Sequence, residues 1–114
     1  MELSIETRTQ GQVYILEVQG EIDLYSSPML RKYIFNTLKE QKPQTLIVNL
    51  SDVTYTDSSG IATLVEGLQL AEEYRTRFKL VGLSQSVLEV FQLVRLERVF
   101  DIYQTEEDAL KATA

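Results

Sequence analysis

The segment "TLIVNL", residues 45–50, constrains the fold more than any other stretch of the chain. It is a short apolar run without the period-two alternation of a half-exposed strand. A strand that shows apolar side chains in both directions must be covered on both faces, and such strands favour the middle of a parallel sheet. A second run, "FKLVGL" (78–83), reads the same way. Between the two, Ile61, Leu64, Val65, Leu68 and Ala71 fall on one helical face after Ser59. Strand, helix, strand is a βαβ unit, and the remaining segments arrange themselves around it.

Upstream, "LSIETR" (3–8) alternates weakly and "QVYILEV" (12–18) reads as a strand, with Gln10-Gly11 as the turn of an antiparallel hairpin. Gly20 is expected to break the second strand. In "SSPMLRKYIFNTLKE", Ser26 or Ser27 can cap a helix that carries Pro28 in its first turn, where a missing N–H costs nothing. Met29, Leu30, Tyr33, Ile34 and Leu38 are expected on its buried face. Lys39 sits near its C-terminal end, where the helix dipole favours a cation, and Pro43 closes the unit. "SDVTYT" reads as a short connecting stretch. Downstream, Ser84 caps a third helix with Val87, Leu88, Phe91 and Val94 inward. "VFDIY" (99–103) is a last short strand. "TEEDALKATA" opens with Thr105 as cap and Asp108 three residues on, like a capping box with Asp in place of Glu, and is read as a short terminal helix. The order is ββαβαβαβα: one α/β domain over residues 1–114, a mixed, mostly parallel sheet with an opening antiparallel hairpin and helices packed on it.

Composition removes most chemistry. The 114 residues include no His and no Cys. A Ser-His-Asp triad cannot be built, a Cys nucleophile is impossible, and zinc sites lose their usual ligands. No GxxxxGK[ST] or GxGxxG phosphate loop is present. No cofactor, metal or catalytic residue is therefore expected. The net charge of -6, without a Lys/Arg run, argues against nucleic acid or an anionic membrane as partner. "MELSIETRTQ" lacks the basic start and apolar core of a signal peptide. No stretch approaches about 18 apolar residues, so a cytoplasmic location without membrane insertion is expected. No exposed apolar stripe is evident, which points to a monomer.

What remains is the junction Asp57-Ser58-Ser59-Gly60. Asp57 or Ser58 can accept a hydrogen bond from a free amide at the helix start. Capping needs one residue and three stand in a row, which leaves the Ser59 hydroxyl free in the first turn. The free amides and the positive end of the dipole tolerate an added anion there, and a phosphate would add about -1.5 to -2 charges. Glu21 and Asp23 follow the second strand, so a βαβ arrangement brings their loop to the same end of the sheet. Asp23 also suits an ordinary turn or cap.

"GEID" (20–23), "LIVNLSDV" (46–53) and "DSSGIATL" (57–64), in this order and at this distance, resemble a STAS domain. More narrowly, they resemble the single-domain bacterial anti-anti-sigma factors, or anti-sigma factor antagonists, and the resemblance covers nearly the whole chain. It implies that Ser59 is the phosphoacceptor, that Asp57 and Ser58 belong to the same motif, and that Asp23 matches the acid of the GEID-type loop. It implies a partner that is both anti-sigma factor and serine kinase, with a histidine-kinase-like ATPase fold. The unphosphorylated form binds that partner and releases sigma; the phosphorylated form lets go, and a PP2C-type phosphatase resets it. The docking surface would comprise the 20–27 loop, with Glu21 and Asp23, the 53–60 loop with Gly60, and the helix carrying Ile61 and Glu66. Glu66 stands where better-known members often carry a basic residue.

Three alternatives keep other roles for these residues. A STAS accessory subunit of a membrane transport complex or stress-signalling assembly would use the same fold without Ser59 phosphorylation. A receiver domain needs an acidic pair after its first strand and a Lys after its last, whereas Glu21 and Asp23 follow a hairpin and no Lys follows "VFDIY". A serine hydrolase would need a base to activate Ser59, and no His exists and no Lys adjoins it.

Overall fold

The computed structural model describes residues 2–112. A five-stranded sheet has its strands in sequence order: β1 (Ser4–Gln10), β2 (Val13–Ile22), β3 (Thr45–Thr56), β4 (Arg77–Val81) and β5 (Asp101–Tyr103). β1 is antiparallel to β2; every later neighbour is parallel. Helices α1 (Ser27–Asn36), α2 (Ser58–Glu73) and α3 (Gln85–Leu93) make the crossovers, and α4 (Glu106–Lys111) follows β5. The expected order and class are those observed; residues 113 and 114 of the expected terminal segment lie outside the described residues.

Right-handed crossovers between strands added in one direction put all three crossover helices on one face. The main core follows: Leu30 and Ile34 of α1, Leu64 and Ala71 of α2, and Val87 and Phe91 of α3 pack with Leu16, Leu46, Val48 and Leu80. On the other face Ala109 of α4 covers Ile15, Ile47 and Val81. That two-sided cover is why 45–50 reads as a continuous apolar run.

Several expectations are corrected. β2 does not stop at Gly20 but pairs with β3 as far as Ile22 opposite Thr56. Gly20 stays in the strand at φ +114, and a Cβ there would lie 2.5 Å from the Glu2 carbonyl oxygen, so only glycine fits. β3 likewise continues through "SDVTYT" to Thr56, with bulges where Glu17/Gln19 and Gly20/Glu21 shift register. Met29 and Tyr33 are exposed, not core: the buried stripe of α1 is Ser27, Leu30 and Ile34, continued by Leu38 in the π-turn Thr37–Gln41. Val94 is exposed because α3 ends one residue before it. Ser84 and Thr105 cap α3 and α4 as expected, accepting from the Val87 and Asp108 amides.

Candidate functional site: the junction of β3 and α2

The long pairing of β2 with β3 has a local consequence. The two chains leave the sheet side by side, and the Asp57 amide donates to the Ile22 carbonyl (3.1 Å). The loop after β2 and the start of α2 therefore form one lip at the carboxyl end of the parallel strands, where open α/β sheets carry their sites.

Asp57 is the N-cap of α2. Its Oδ1 accepts from the Ser59 amide (2.9 Å), the Gly60 amide (3.4 Å) and the Ser59 hydroxyl (2.5 Å). The Ser59 hydroxyl bond is the main cause that holds the Asp57 carboxyl below the usual carboxylate range; backbone N–H groups of Ser59, Gly60 and Leu24 add to it against a desolvation that opposes it. The Leu24 contact ties the neighbouring loop to the same carboxylate. Ser59 is half-buried, and its proton is engaged by Asp57 and not free as expected; Ser58, one position earlier, is exposed. Gly60 is buried, and a Cβ there would lie 2.2 Å from Thr56 Oγ1 and 2.6 Å from Ile22 Cγ2. Glycine lets the helix start sit directly on the ends of β2 and β3.

Asp23 builds its own loop. Its Oδ1 accepts from the Tyr25 and Ser26 amides (both 2.9 Å), and its carbonyl accepts from the Ser27 amide (2.8 Å). The Ser26 hydroxyl accepts from the Asp23 amide (2.9 Å), with the Glu21 carbonyl and Asp23 Oδ1 in reach of its proton. Ser26 therefore clamps the loop and does not cap α1, which departs from the expectation. With both polar ends of this turn satisfied internally, its apolar side chains point outward: Leu24 is 68% and Tyr25 90% exposed. Tyr25 and Met29 share a groove of about 530 Å³ with Glu21, Asp23 and Ser26.

Glu66 follows Ser59 by seven residues, so the two share one stripe of α2, about two turns apart. Its carboxylate pairs with Arg31 of α1 (3.4 Å), whose guanidinium stacks 4.2 Å from the Phe35 ring. Glu66 is thus a bridge between helices and not an isolated acid. Ile61 is half-buried and packs on the main core, so it anchors the helix start. Leu24 and Tyr25 on the loop and Met29 beside Tyr25 are exposed, whereas the sequence suggests no exposed apolar stripe. "DLYS", two large apolar residues inside a turn segment, was the available signal.

The arrangement holds a hydroxyl at a helix start; it does not activate one. The carboxylate beside Ser59 is held below its ordinary range, and an effective general base has its pKa near the working pH. Among the described residues no group of three or more acidic side chains is placed to hold a metal. The linear strand order with an antiparallel first strand also differs from the 2-1-3-4-5 sheet of receiver domains.

Comparison with known proteins bears on the fold and the family. The model of the STAS domain family matches residues 4–109. The anti-sigma-B factor antagonist of Staphylococcus aureus is 28% identical over 107 residues, covering 94% of this chain and 98% of that protein. The crystal structure of an anti-sigma factor antagonist from Mycobacterium paratuberculosis superposes with a TM-score of 0.89 at 25% identity, over 97% of this chain and 93% of that one. The Bacillus cell fate determinant SpoIIAA in its phosphorylated form shares the fold, with a TM-score of 0.76 at 21% identity over 97% of this chain and 100% of that one. The first two of these relatives are named for antagonism of another protein, not for a reaction. With its ordered sheet, its capped serine junction and a family match spanning nearly every described residue, the chain belongs to the STAS domain family.

Proposed function

We propose that this protein is an anti-sigma factor antagonist, a binding module switched by phosphorylation of Ser59. Its unphosphorylated form binds an anti-sigma factor that is also a serine kinase of histidine-kinase-like ATPase fold, and so releases the sigma factor. Phosphorylation ends the complex, and a PP2C-type phosphatase resets the protein in the cytoplasm. The curated relatives carry the antagonist name over their whole length, and a protein of the same fold exists in a phosphorylated form.

The observation that carries the switch is the position of the Ser59 hydroxyl. It is held by Asp57 at the first turn of α2, on the same lip as the loop that exposes Leu24 and Tyr25. A phosphoryl group on that oxygen replaces a hydrogen-bond donor by about -1.5 to -2 charges beside Asp57. Asp57 already holds the Ser59 and Gly60 amides, so the anion is offset by the positive end of the α2 dipole at a half-exposed position and the fold survives. A partner surface shaped for a hydroxyl and for the apolar rim of Leu24, Tyr25 and Met29 meets uncompensated charge instead. Mismatched charge at an interface costs several kcal/mol, which corresponds to at least about a hundredfold loss of affinity. Glu21, Asp23, Ser58, Gly60, Ile61 and Glu66 shape or flank this surface.

The test is capture of the anti-sigma factor kinase of the same organism by wild type, Ser59→Ala and Ser59→Asp, with ATP present and the modified residue mapped by mass spectrometry. Retention by Ser59→Ala, loss by Ser59→Asp and phosphate on Ser59 are expected. Equal retention by all three forms, or phosphate on Ser58 alone, contradicts the proposal.

A further inference from the structure

β1 is an edge strand: β2 pairs with one side of it, and no described strand pairs with the other. Long edges are usually blunted by a proline, a bulge or charged side chains that repel a second copy. β1 has no proline and no bulge, and its charges can attract a second copy. Its register with β2 runs unbroken from Ser4 opposite Gln19 to Gln10 opposite Val13, and its two charges, Glu6 and Arg8, are opposite in sign.

We propose that this edge pairs with the same edge of a second copy, antiparallel about a twofold axis through Thr7. Read against itself, "SIETRTQ" sets Glu6 opposite Arg8 of the second copy, and symmetry repeats that pair. Thr7 meets Thr7 and Ser4 meets Gln10. Opposite charges and facing hydroxyls are the pairs that stabilise antiparallel ladders.

The single chain leaves Glu6 in need of such a partner. In register it faces Glu17, another carboxylate, which is unfavourable directly across a ladder. Arg8 satisfies Glu17 and Glu106 (2.8 and 2.5 Å), while Glu6 has no ion pair among the described residues. The Arg8 side chain remains 39% exposed, and a guanidinium has five N–H donors, so a third carboxylate can be taken. The twofold contact is isologous and closes as a dimer. The far edge, β5, has only three residues and cannot extend the array effectively. The contact lies two strands from β3 and does not involve the Ser59 junction.

Sedimentation of the full chain at low ionic strength, from low micromolar to millimolar concentration, tests this. The expected mass rises from 13.1 kDa towards twice that value, and added salt lowers the dimer fraction because the paired charges are exposed. Glu6→Arg, which sets Arg against Arg8 of the second copy, is expected to stay at the single-chain mass throughout and to melt no lower than wild type, since within the chain Arg replaces a carboxylate opposite Glu17. Glu6→Gln, which only removes the charge, should dimerise several-fold more weakly. A wild type of single-chain mass at every concentration overturns the proposal. So does a Glu6→Arg variant that dimerises like wild type.

Discussion

Replacing Gly60 with alanine asks whether the start of α2 is wedged onto the strand ends as described. The added Cβ would lie 2.2 Å from Thr56 Oγ1 and 2.6 Å from Ile22 Cγ2. Thr56 can turn aside only by disturbing its contact to the Asp57 carbonyl (3.2 Å). Ile22 is 1% exposed and has no room to retreat. Overpacking a filled site costs about 1–3 kcal/mol. Alanine recovers up to about 1 kcal/mol through its better helix propensity. With both contacts this short the upper half of the overpacking range applies, so the balance is a destabilisation of about 1–2 kcal/mol, which for a chain of this size lowers Tm by about 4–12 °C. Thermal unfolding followed by circular dichroism measures it. Gly67→Ala is the comparison: its Cβ would meet Ile34 Cγ2 at 2.9 Å and Phe78 Cζ at 3.1 Å, a milder conflict, and it should lose less. A Gly60→Ala protein that melts at or above the wild-type temperature refutes the close seating of the helix.

Asp57 makes acid stability informative. Its folded carboxyl is held below the unfolded value of about 3.9, so it contributes stability fully above that value and loses it as pH falls through the folded pKa. Asp57→Asn, which can still cap, should flatten this part of the urea-midpoint difference between neutral pH and about pH 3; an unchanged difference contradicts it. Ser59→Asp should melt within a few degrees of wild type, because the helix dipole partly offsets repulsion from Asp57; a large loss in a fluorescence melt would show that the variant fails to bind through unfolding. Lys79 is 2% exposed, with its ammonium near Tyr103 Oη (3.2 Å), the Ala109 carbonyl (3.4 Å) and Asp101 (3.5 Å). Lys79→Met keeps the volume without burying a charge and should match or exceed wild type in urea unfolding, whereas Lys79→Ala opens a cavity and should lose about 2–4 kcal/mol; the reverse order would contradict the packing described.

The βαβ frame was legible because two apolar runs flank one amphipathic helix, and a parallel sheet then brings the loops after β2 and β3 to one end. The junction was legible because capping residues are few and three stood together. What escaped depends on contacts between distant segments. Gly20 reads as a strand breaker until Glu2 is seen passing within a Cβ of it. The polar stretch 51–56 reads as loop because its two buried residues, Val53 and Thr56, are three apart and not at strand alternation, the register with β2 shifting between them. On α1, the pair Met29 and Tyr33 repeats at the same spacing as Leu30 and Ile34, and only the packing of α2 decides which pair is buried. Ser26 or Ser27 reads as the cap of α1, but the Ser26 hydroxyl is drawn back to the Asp23 amide three residues upstream and α1 starts without a side-chain cap.

In the proposed switch, binding turns on the Ser59 hydroxyl oxygen, and titration calorimetry measures its effect. The anti-sigma factor kinase of the same organism would be titrated with unmodified protein and with protein stoichiometrically phosphorylated on Ser59. Saturable binding by the unmodified form and a loss of at least about a hundredfold on phosphorylation are predicted. Equal affinity of the two forms would contradict the account, even if both bind tightly.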